Sequence, residues 1–262
     1  MILFDSHCHI DDKSFDPDLD DVMDRAAQSG VQAMMVVGID RTTAQKAIQI
    51  AGQYPNVFTS VGVHPHDAIQ CSAQVLEQLQ HLARTNDCVK AWGETGLDFN
   101  RMFSPQKDQE ACFTAQLAMA QELDLPLIFH ERDSGGRFYD ILKSEGPHAR
   151  QGVVHCFSGT KQEMFNYLDL GYHIGITGIV TIQKRGAYLR EIVPHIPEDR
   201  ILIETDAPYL TPAPQKNKIR RNEPAFVASV LSRLAQARDT DPDTLAQTVF
   251  DNTLKFYRVN LT

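Results

Sequence analysis

The feature that most constrains this chain is the alternation of short apolar runs with longer amphipathic segments along its whole length. Continuous apolar runs are typical of strands buried on both faces, as in parallel sheets. Eight runs have this character: residues 2–6, 33–38, 58–63, 89–93, 127–129, 152–154, 173–177 and 201–205. Strands that alternate with helices in this way predict a parallel α/β fold.

Capping residues and helix breakers predict where the helices lie. Between the apolar runs we expect helices at residues 16–30, 72–86, 104–123 and 160–171. After the eighth run, residues 223–237 and 244–257 predict two additional C-terminal helices. No Gly-x-Gly-x-x-Gly follows the first run, which counts against a dinucleotide-binding sheet. The length of 262 residues suits one barrel, and no linker or repeat interrupts it. We therefore predict a single (β/α)8 TIM barrel domain, residues 1–262.

Polar residues of the metal-binding types follow five of the eight runs. In a (β/α)8 barrel the catalytic groups lie where strands end and the following loops begin. The candidates at these ends are His7, His9, Glu94, His130, His155 and Asp206. A lone His or Glu at such a position is usually structural, but five independent strand ends favour a common site.

Other residues near these ends have less certain roles. His64 and Glu204 either touch the site directly or hydrogen-bond to its ligands. Strand alternation predicts that Cys8 and Cys156 point away from the neighbouring candidates, as small core residues. The remaining histidines are assigned to loops, helices or strand starts: His66, His81, His148, His173 and His195.

The candidate set contains more donors than one metal ion can use. Four imidazoles and two carboxylates suit Zn, Mn, Fe or Ni where nitrogen dominates, and Mg or Mn where oxygen dominates. Two ions that share a carboxylate, about 3.5–4 Å apart, could activate a water and still leave room for a substrate. We expect two divalent metal ions: Mg, Mn or Zn.

Charge and cysteine content limit the possible partners and location. The net charge of −9 argues against a large, non-specific nucleic-acid surface, but allows a small pocket for one strand end. The five cysteines form no close pair, and the N-terminus carries no apolar targeting segment. We expect a cytoplasmic monomer that does not contact a membrane.

Basic and aromatic residues in the loops after the strands could bind a nucleic acid. The candidate phosphate contacts are Arg132, Lys216, Lys218, Arg220 and Arg221. The candidates for stacking on a base are Phe99, Phe103, Phe157 and Tyr209. Charge on solvated loops and aromatic packing within loops are the ordinary alternatives for these residues.

Six ordered motifs resemble those of the TatD family of metal-dependent deoxyribonucleases. They are Asp5-Ser6-His7-Cys8-His9, Gly62-Val63-His64-Pro65, Gly93-Glu94-Thr95-Gly96-Leu97-Asp98, His130-x-Arg132, His155-Cys156-Phe157-Ser158-Gly159 and Glu204-Thr205-Asp206-Ala207-Pro208-Tyr209-Leu210. The resemblance implies a metal-binding barrel of the amidohydrolase-like superfamily. It also implies a role for each ligand. One metal would take His7, His9 and Asp206, the other would take His130 and His155, and Glu94 would bridge them. Asp206 would also orient or deprotonate the attacking water.

The expected activity is hydrolysis of phosphodiester bonds by a deoxyribonuclease or exonuclease that acts on single-stranded DNA or RNA ends. The same activated water would also serve an ester, lactone or aminoacyl-tRNA hydrolase of the amidohydrolase type, and the ligands alone do not separate the two. A carboxylated-lysine bridge would need Lys at the end of the fourth strand, where this chain has Glu94. A non-catalytic barrel is a third alternative, which the complete ligand set disfavours.

Overall fold

A computed structural model describes residues 1–145 and 151–261. Eight parallel strands form one sheet in sequential order, as the apolar runs predict. The strands are β1 (Leu3–Cys8), β2 (Val31–Val37), β3 (Val57–Val61), β4 (Val89–Asp98), β5 (Leu127–Arg132), β6 (Gly152–Val154), β7 (His173–Ile176) and β8 (Ile201–Ile203).

Helices surround this sheet and confirm the predicted (β/α)8 TIM barrel. They are α1 (Leu19–Gln28), α2 (Arg41–Ala51), α3 (Ala73–Thr85), α4 (Gln106–Glu122), α5 (Arg137–Ser144), α6 (Lys161–Asp169), α7 (Ala187–Ile192), α8 (Val227–Arg238) and α9 (Pro242–Tyr257). Short 3-10 helices cover Lys13–Phe15, Pro65–Gln70, Gly178–Thr181, Val193–His195, Glu198–Arg200, Gln215–Asn217 and Pro224–Phe226. Both C-terminal helices are present: α8 completes the eighth strand–helix unit and α9 extends beyond it. No helix in the described ranges has the length and apolar character needed to cross a bilayer.

Helix starts follow the capping signals of α3 and α6, whereas α4 begins at Gln106 rather than at residue 104 and has no side-chain cap. Ser72 caps α3 by accepting a hydrogen bond from the Val75 amide, and Thr160 forms the predicted capping box of α6. The first helix begins later than predicted, with Asp18 rather than Asp16 at its N-cap position. The Asp16 carboxylate lies 2.5 Å from Lys46 Nζ instead, so it is engaged in an ion pair rather than a cap.

The barrel closes where the ends of β1 and β8 meet. His9 donates its backbone N–H to the Ala207 carbonyl at 2.7 Å, and the Asp206 N–H donates to the His7 carbonyl at 2.9 Å. The buried Asp5 carboxylate accepts hydrogen bonds from the backbone and hydroxyl of Thr205, at 2.8 and 2.5 Å. This closure places the end of β1 directly beside the segment that follows β8.

Helix α9 closes the opposite mouth of the barrel. A buried cluster joins inward residues of several strands, among them Phe4 and Met35, to Phe250, Phe256 and Tyr257 of α9. The Tyr257 hydroxyl also donates to a backbone carbonyl of β1 at 2.8 Å. A second, larger cluster fills the space between the strands and the surrounding helices. The mouth at the carboxyl ends of the strands is where other (β/α)8 barrels carry their sites.

Candidate metal and active site

Glycines bring Glu94 to the centre of this mouth. Gly93 and Gly96 have φ values of 140° and 149°, which side chains on L-residues rarely permit. A Cβ at Gly96 would collide with the carbonyl oxygen of His130, and a Cβ at Gly93 with the carbonyl oxygen of Ile128. The end of β4 therefore passes very close to β5, and Glu94 is only 3% exposed.

One oxygen of Glu94 faces the end of β1. Glu94 Oε2 lies 3.4 Å from His7 Nε2 and 3.8 Å from His9 Nε2. The two imidazole nitrogens are themselves 3.1 Å apart. Asp206 Oδ1 completes the group, at 3.5 Å from His9 Nε2 and 3.8 Å from His7 Nε2. Two imidazoles and two carboxylates therefore converge at this position.

The other oxygen of Glu94 faces a different set of imidazoles. Glu94 Oε1 lies 2.7 Å from His130 Nδ1, 3.3 Å from His155 Nε2 and 3.5 Å from His64 Nε2. His64 Nε2 and His130 Nδ1 are 3.2 Å apart. His64, whose role the sequence left open, thus lies in this second group. The two groups together are called the cluster, and they consist of His7, His9, His64, Glu94, His130, His155 and Asp206. Glu94 presents one oxygen to each of two donor groups, which is the geometry of a bridging carboxylate.

The protonation of two imidazoles tests whether this cluster fits a metal. His9 Nδ1 lies 3.0 Å from the carbonyl oxygen of Val37, so Nδ1 carries the proton that it donates. His155 Nδ1 donates in the same way to Glu204 at 3.1 Å. In the neutral tautomers each Nε2 then presents a lone pair to a carboxylate oxygen, at 3.5 Å for His9 and 3.3 Å for His155. Facing lone pairs need a cation or an extra proton between them, so the donor set fits divalent metal.

The titration behaviour of the cluster agrees with that requirement. Burial lowers the pKa of His9, but its hydrogen bond to Asp206 and the charge of that carboxylate raise the pKa to about 9. Burial also opposes protonation of His155, yet Glu94 and Glu204 raise its pKa well above the ordinary value. The imidazoles in turn hold the pKa of Glu94 well below its usual range despite burial. Protons on His9 and His155 thus supply positive charge that metal ions would supply, whereas burial lowers the pKa of His7 and His64.

Glu204 supports the cluster from behind. Its fully buried Oε1 accepts from the Cys156 backbone N–H at 2.5 Å and from His155 Nδ1 at 3.1 Å. The other oxygen lies 3.4 Å from the Ser6 hydroxyl. Glu204 thus orients His155 rather than facing the cleft, in the arrangement by which a carboxylate fixes the ring of a ligating histidine.

Two residues of this site were missed in the sequence. His66 was assigned to a loop, but its Nε2 lies 2.8 Å from Asp98 Oδ2, and that oxygen is also 3.4 Å from His130 Nε2. Burial raises the pKa of the Asp98 carboxyl, but its bonds to the two imidazoles hold the pKa far below its usual range. A signal was available, because Asp98 follows Glu94 on the same face of a strand.

The predicted direction of the Cys156 side chain was wrong. Its Sγ lies within 4.8 Å of ligand atoms of His155 and Asp206, so it does not point away from them, although the residue packs partly buried against the core as predicted. Strand β6 ends at Val154, and Cys156 has a left-handed φ of 49°, so the alternation of a regular strand no longer applies there. Cys8 is fully buried, as predicted.

The cluster forms the floor of a cavity of about 1030 Å³, which is referred to as the cleft. Arg132, Arg101 and Arg185 line it, together with the side chains of the cluster. Phe103 and Tyr209 also line it and are 66% and 56% exposed. The other two aromatic candidates are not available for stacking on a base, because Phe157 is buried in the core and Phe99 packs partly buried against it. His148 lies outside the described residues.

The basic loop after β8 divides into three parts. Lys216 and Arg220 line a neighbouring pocket, whereas Lys218 is exposed and lines neither cavity. Arg221 points elsewhere: its guanidinium lies 2.6 Å from Asp18 and 3.0 Å from Glu223. Since these ion pairs occupy Arg221, it is not a candidate phosphate contact, contrary to the prediction.

A closed (β/α)8 barrel with a histidine–carboxylate cluster at the carboxyl ends of its strands defines the class of metal-dependent barrel hydrolases. Residues 4–258 match the model of the family described as TatD related DNase. The chain belongs to that family.

Individual relatives extend this similarity over the whole chain. A protein of Rahnella sp. (strain Y9602), named 3'-5' ssDNA/RNA exonuclease TatD, is 44% identical over 261 residues, covering 98% of this chain and 99% of that protein. A protein of the same name from Pectobacterium carotovorum subsp. carotovorum (strain PC1) is 41% identical over 260 residues, covering 98% of this chain and all of that protein, 100%. The crystal structure of a TatD homologue from Escherichia coli K12 superposes with a TM-score of 0.90 at 32% identity, covering 98% of both chains.

Proposed function

We propose that this protein is a divalent-metal-dependent exonuclease that hydrolyses phosphodiester bonds at the ends of single-stranded DNA or RNA. The observation that carries the proposal is the placement of the Glu94 carboxylate, which directs one oxygen at each of two groups of imidazoles. Two relatives named 3'-5' ssDNA/RNA exonuclease TatD, at 44% and 41% identity, support this activity and a direction of cleavage that starts from the 3' end. Free thiols at all five cysteines are compatible with work in the cytoplasm.

In this proposal the cluster holds two metal ions, Mg, Mn or Zn. One would be held by His7, His9 and Asp206, and the other by His130 and His155, with Glu94 shared between them. When bound, such ions stabilise negative charge on a phosphate and lower the pKa of a coordinated water.

Asp206 is the residue best placed to orient the attacking water. Its side chain is 14% exposed, whereas that of Glu94 is 3% exposed, so Asp206 is the more open of the two to the cleft. Burial raises the pKa of Asp206, but the hydrogen bond from His9 and the charges of the surrounding imidazoles together lower it below its ordinary value. Asp206 is therefore a carboxylate at neutral pH and can accept a hydrogen bond, or a proton, from a water in the cleft.

Arginines of the cleft wall could bind the phosphate groups of a substrate, although the same wall also carries carboxylates outside the cluster. Arg132 and Arg101 line the cleft beside the cluster, and guanidinium groups form charge-assisted bonds to phosphate oxygens. Phe103 projects from the same wall, with its ring 4.7 Å from that of His66, and can stack on an unpaired base. These contacts would hold one terminal nucleotide over the cluster.

The test uses single-stranded oligonucleotides labelled at the 5' or the 3' end. Metal-stripped protein is assayed with Mg, Mn or Zn restored, next to an Asp206→Asn variant and an Asp140→Asn control on the exposed surface of α5. We expect a metal-dependent ladder that starts from the 3' end, and a loss of about 10²–10⁴-fold in rate for Asp206→Asn only, as is usual for removal of an acid–base group.

A different result would overturn parts of this proposal separately. No cleavage by protein that holds its metal would exclude the nuclease activity and direct attention to ester, lactone and aminoacyl-tRNA substrates. A ladder from the 5' end would keep the activity and contradict the direction. An equal loss in both variants would remove Asp206 from its proposed role.

A further inference from the structure

A second cavity of about 550 Å³, here called the side pocket, lies beside the cleft. Its walls include Ile179, Arg185, Tyr209, Lys216, Ile219 and Arg220. Three of the lining side chains are cations and none is a carboxylate. The whole chain has a net charge of −9, so the charge of the side pocket is opposite to that of the protein around it. Such a local reversal favours an anionic ligand.

The three cations are not used to hold the fold together. Within residues 1–145 and 151–261, the side chains of Arg185, Lys216 and Arg220 take part in no ion pair or hydrogen bond. Neighbouring arginines differ in this respect. Arg190 donates to three backbone carbonyls of the β7 loop at 2.7–3.0 Å, and Arg221 is paired with two carboxylates. The structural work in these loops is done by other residues, which leaves the pocket cations available for a ligand.

Hydrogen bonds fix the two loops that form the pocket. Thr181 Oγ1, after β7, accepts the backbone N–H of Ala213, after β8, at 2.8 Å. The Thr211 hydroxyl donates to the carbonyl of Arg220 at 2.6 Å, and Asn222 Nδ2 donates to that of Tyr209 at 2.6 Å. A pocket whose walls are already positioned loses less conformational entropy when a ligand binds.

Apolar surface accompanies the cations. Tyr209 is 56% exposed and Ile219 is 45% exposed, and both line the side pocket with Ile179 and Ile182. Exposed aromatic and aliphatic side chains beside free cations are the combination on which single-stranded nucleic acids stack their bases and neutralise their phosphates. An inorganic anion would use the cations but not this apolar wall.

The side pocket and the cleft are continuous. Arg185, Tyr209 and Leu210 line both cavities, and the ring of Tyr209 lies 6.1 Å from that of His9 in the cluster. A strand with its end over the cluster would therefore pass Tyr209 and enter the side pocket.

We propose that the side pocket is a binding site for the nucleotides adjacent to the terminal one. Lys216, Arg220 and Arg185 bind their phosphates, and a base packs against Tyr209 and Ile219. This inference rests on the proposed exonuclease function and deepens it, because it assigns the site that binds the body of the strand rather than the scissile bond.

The test compares a double variant, Lys216→Ala with Arg220→Ala, with a control that removes the same formal charge elsewhere. The control is Lys107→Ala with Lys255→Ala, two exposed lysines on α4 and α9.

KM is measured for a dinucleotide and for a long single-stranded oligonucleotide. For the pocket variant we expect KM for the long strand to rise about tenfold more than KM for the dinucleotide, as for loss of a charged contact. The slope of log KM for the long strand against log salt concentration should fall in magnitude by about 1.4, or about 0.7 for each lost phosphate contact. The control should match the wild type. Equal changes for both substrates, or the same changes in the control, would overturn the proposal.

A binding experiment separates this proposal from the failure of the activity. Fluorescence anisotropy of a labelled oligonucleotide is measured with metal-free protein in a chelator. If wild-type protein binds and the pocket variant binds about tenfold more weakly, the side pocket holds the strand even where no cleavage is found. No binding by the wild type, or equal binding by the variant, overturns it. Competition by polyglutamate as effective as that by unlabelled oligonucleotide also overturns it, since the pocket would then select charge alone.

Discussion

The carboxylate behind His155 gives the sharpest test of how the cluster is built. Glu204 Oε1 accepts from the Cys156 amide and from His155 Nδ1, at 2.5 and 3.1 Å. In a Glu204→Gln variant the amide oxygen can take the place of Oε1, and the amide nitrogen can lie near the Ser6 hydroxyl. The hydrogen-bond geometry therefore survives, while the negative charge beside His155 is lost.

The size of the effect follows from that loss of charge. A hydrogen bond to a charged group contributes about 1.5–3 kcal/mol, and one between neutral groups contributes about 0.5–1.5 kcal/mol. The difference of about 1–1.5 kcal/mol corresponds to roughly tenfold weaker binding of a metal by His155. It lies at the lower end of the 10–100-fold cost, approximately, of removing such supporting residues. The donor group of His7 and His9 should be affected less, because Glu204 makes no hydrogen bond to either.

Calorimetric titration of metal-stripped protein with Zn or Mn measures both affinities. The matched control is Glu131→Gln, since Glu131 is a partly buried carboxylate bonded to Ser134 rather than to a histidine. We expect one of two affinities to fall about tenfold in Glu204→Gln and neither to change in the control. Unchanged affinities in Glu204→Gln would refute the reasoning, and so would an equal fall at both sites.

Two further predictions concern stability. Gln116→Leu should destabilise the protein by about 2–4 kcal/mol in urea unfolding, because buried Gln116 bonds both backbone groups of Val63 and the indole N–H of Trp92 at 2.8–3.1 Å; a loss below about 1 kcal/mol would contradict this. Burial lowers the pKa of His173 from 6.5 to about 4, so the unfolded chain takes up this proton first as pH falls, and stability is lost between pH 6.5 and 4. In chelator, from pH 7.5 to pH 5, wild type should lose about 2 kcal/mol more than His173→Gln, and equal losses would count against the assignment.

The barrel and the cluster could be predicted because they depend on order along the chain. Strands of a (β/α)8 barrel all end at the same mouth, so the fold brings together His7 and Glu94 on their strands and Asp206 in the segment just after β8. Asp98 lies on the same strand face as Glu94, so strand alternation also predicts its place beside the cluster. The direction of Cys156 does not follow from alternation, because a left-handed backbone occurs there after the end of β6.

The basic loop shows what order along the chain cannot predict. Lys216, Arg220 and Arg221 are nearly adjacent in sequence and carry the same charge, yet Arg221 pairs with Asp18 across 203 residues. Whether a cation is free or paired depends on partners that only the folded chain brings near. The density of positive charge therefore singles out the loop as a whole, without separating its ion-paired arginine from the cations that line the side pocket.

The mouth of the barrel that α9 closes limits how a nucleic acid can enter the cleft. Beneath the cluster the barrel is filled by buried side chains such as Phe4 and Met35, and α9 covers them with Phe250 and Tyr257. The cleft is therefore blind, and a strand cannot be threaded through it. A nucleotide reaches Glu94 only from the open side, and a terminal nucleotide does so without the unpairing that one inside a duplex requires. The packed interior thus excludes threading of a strand through the barrel, and the proposed binding of a strand end is consistent with that limit.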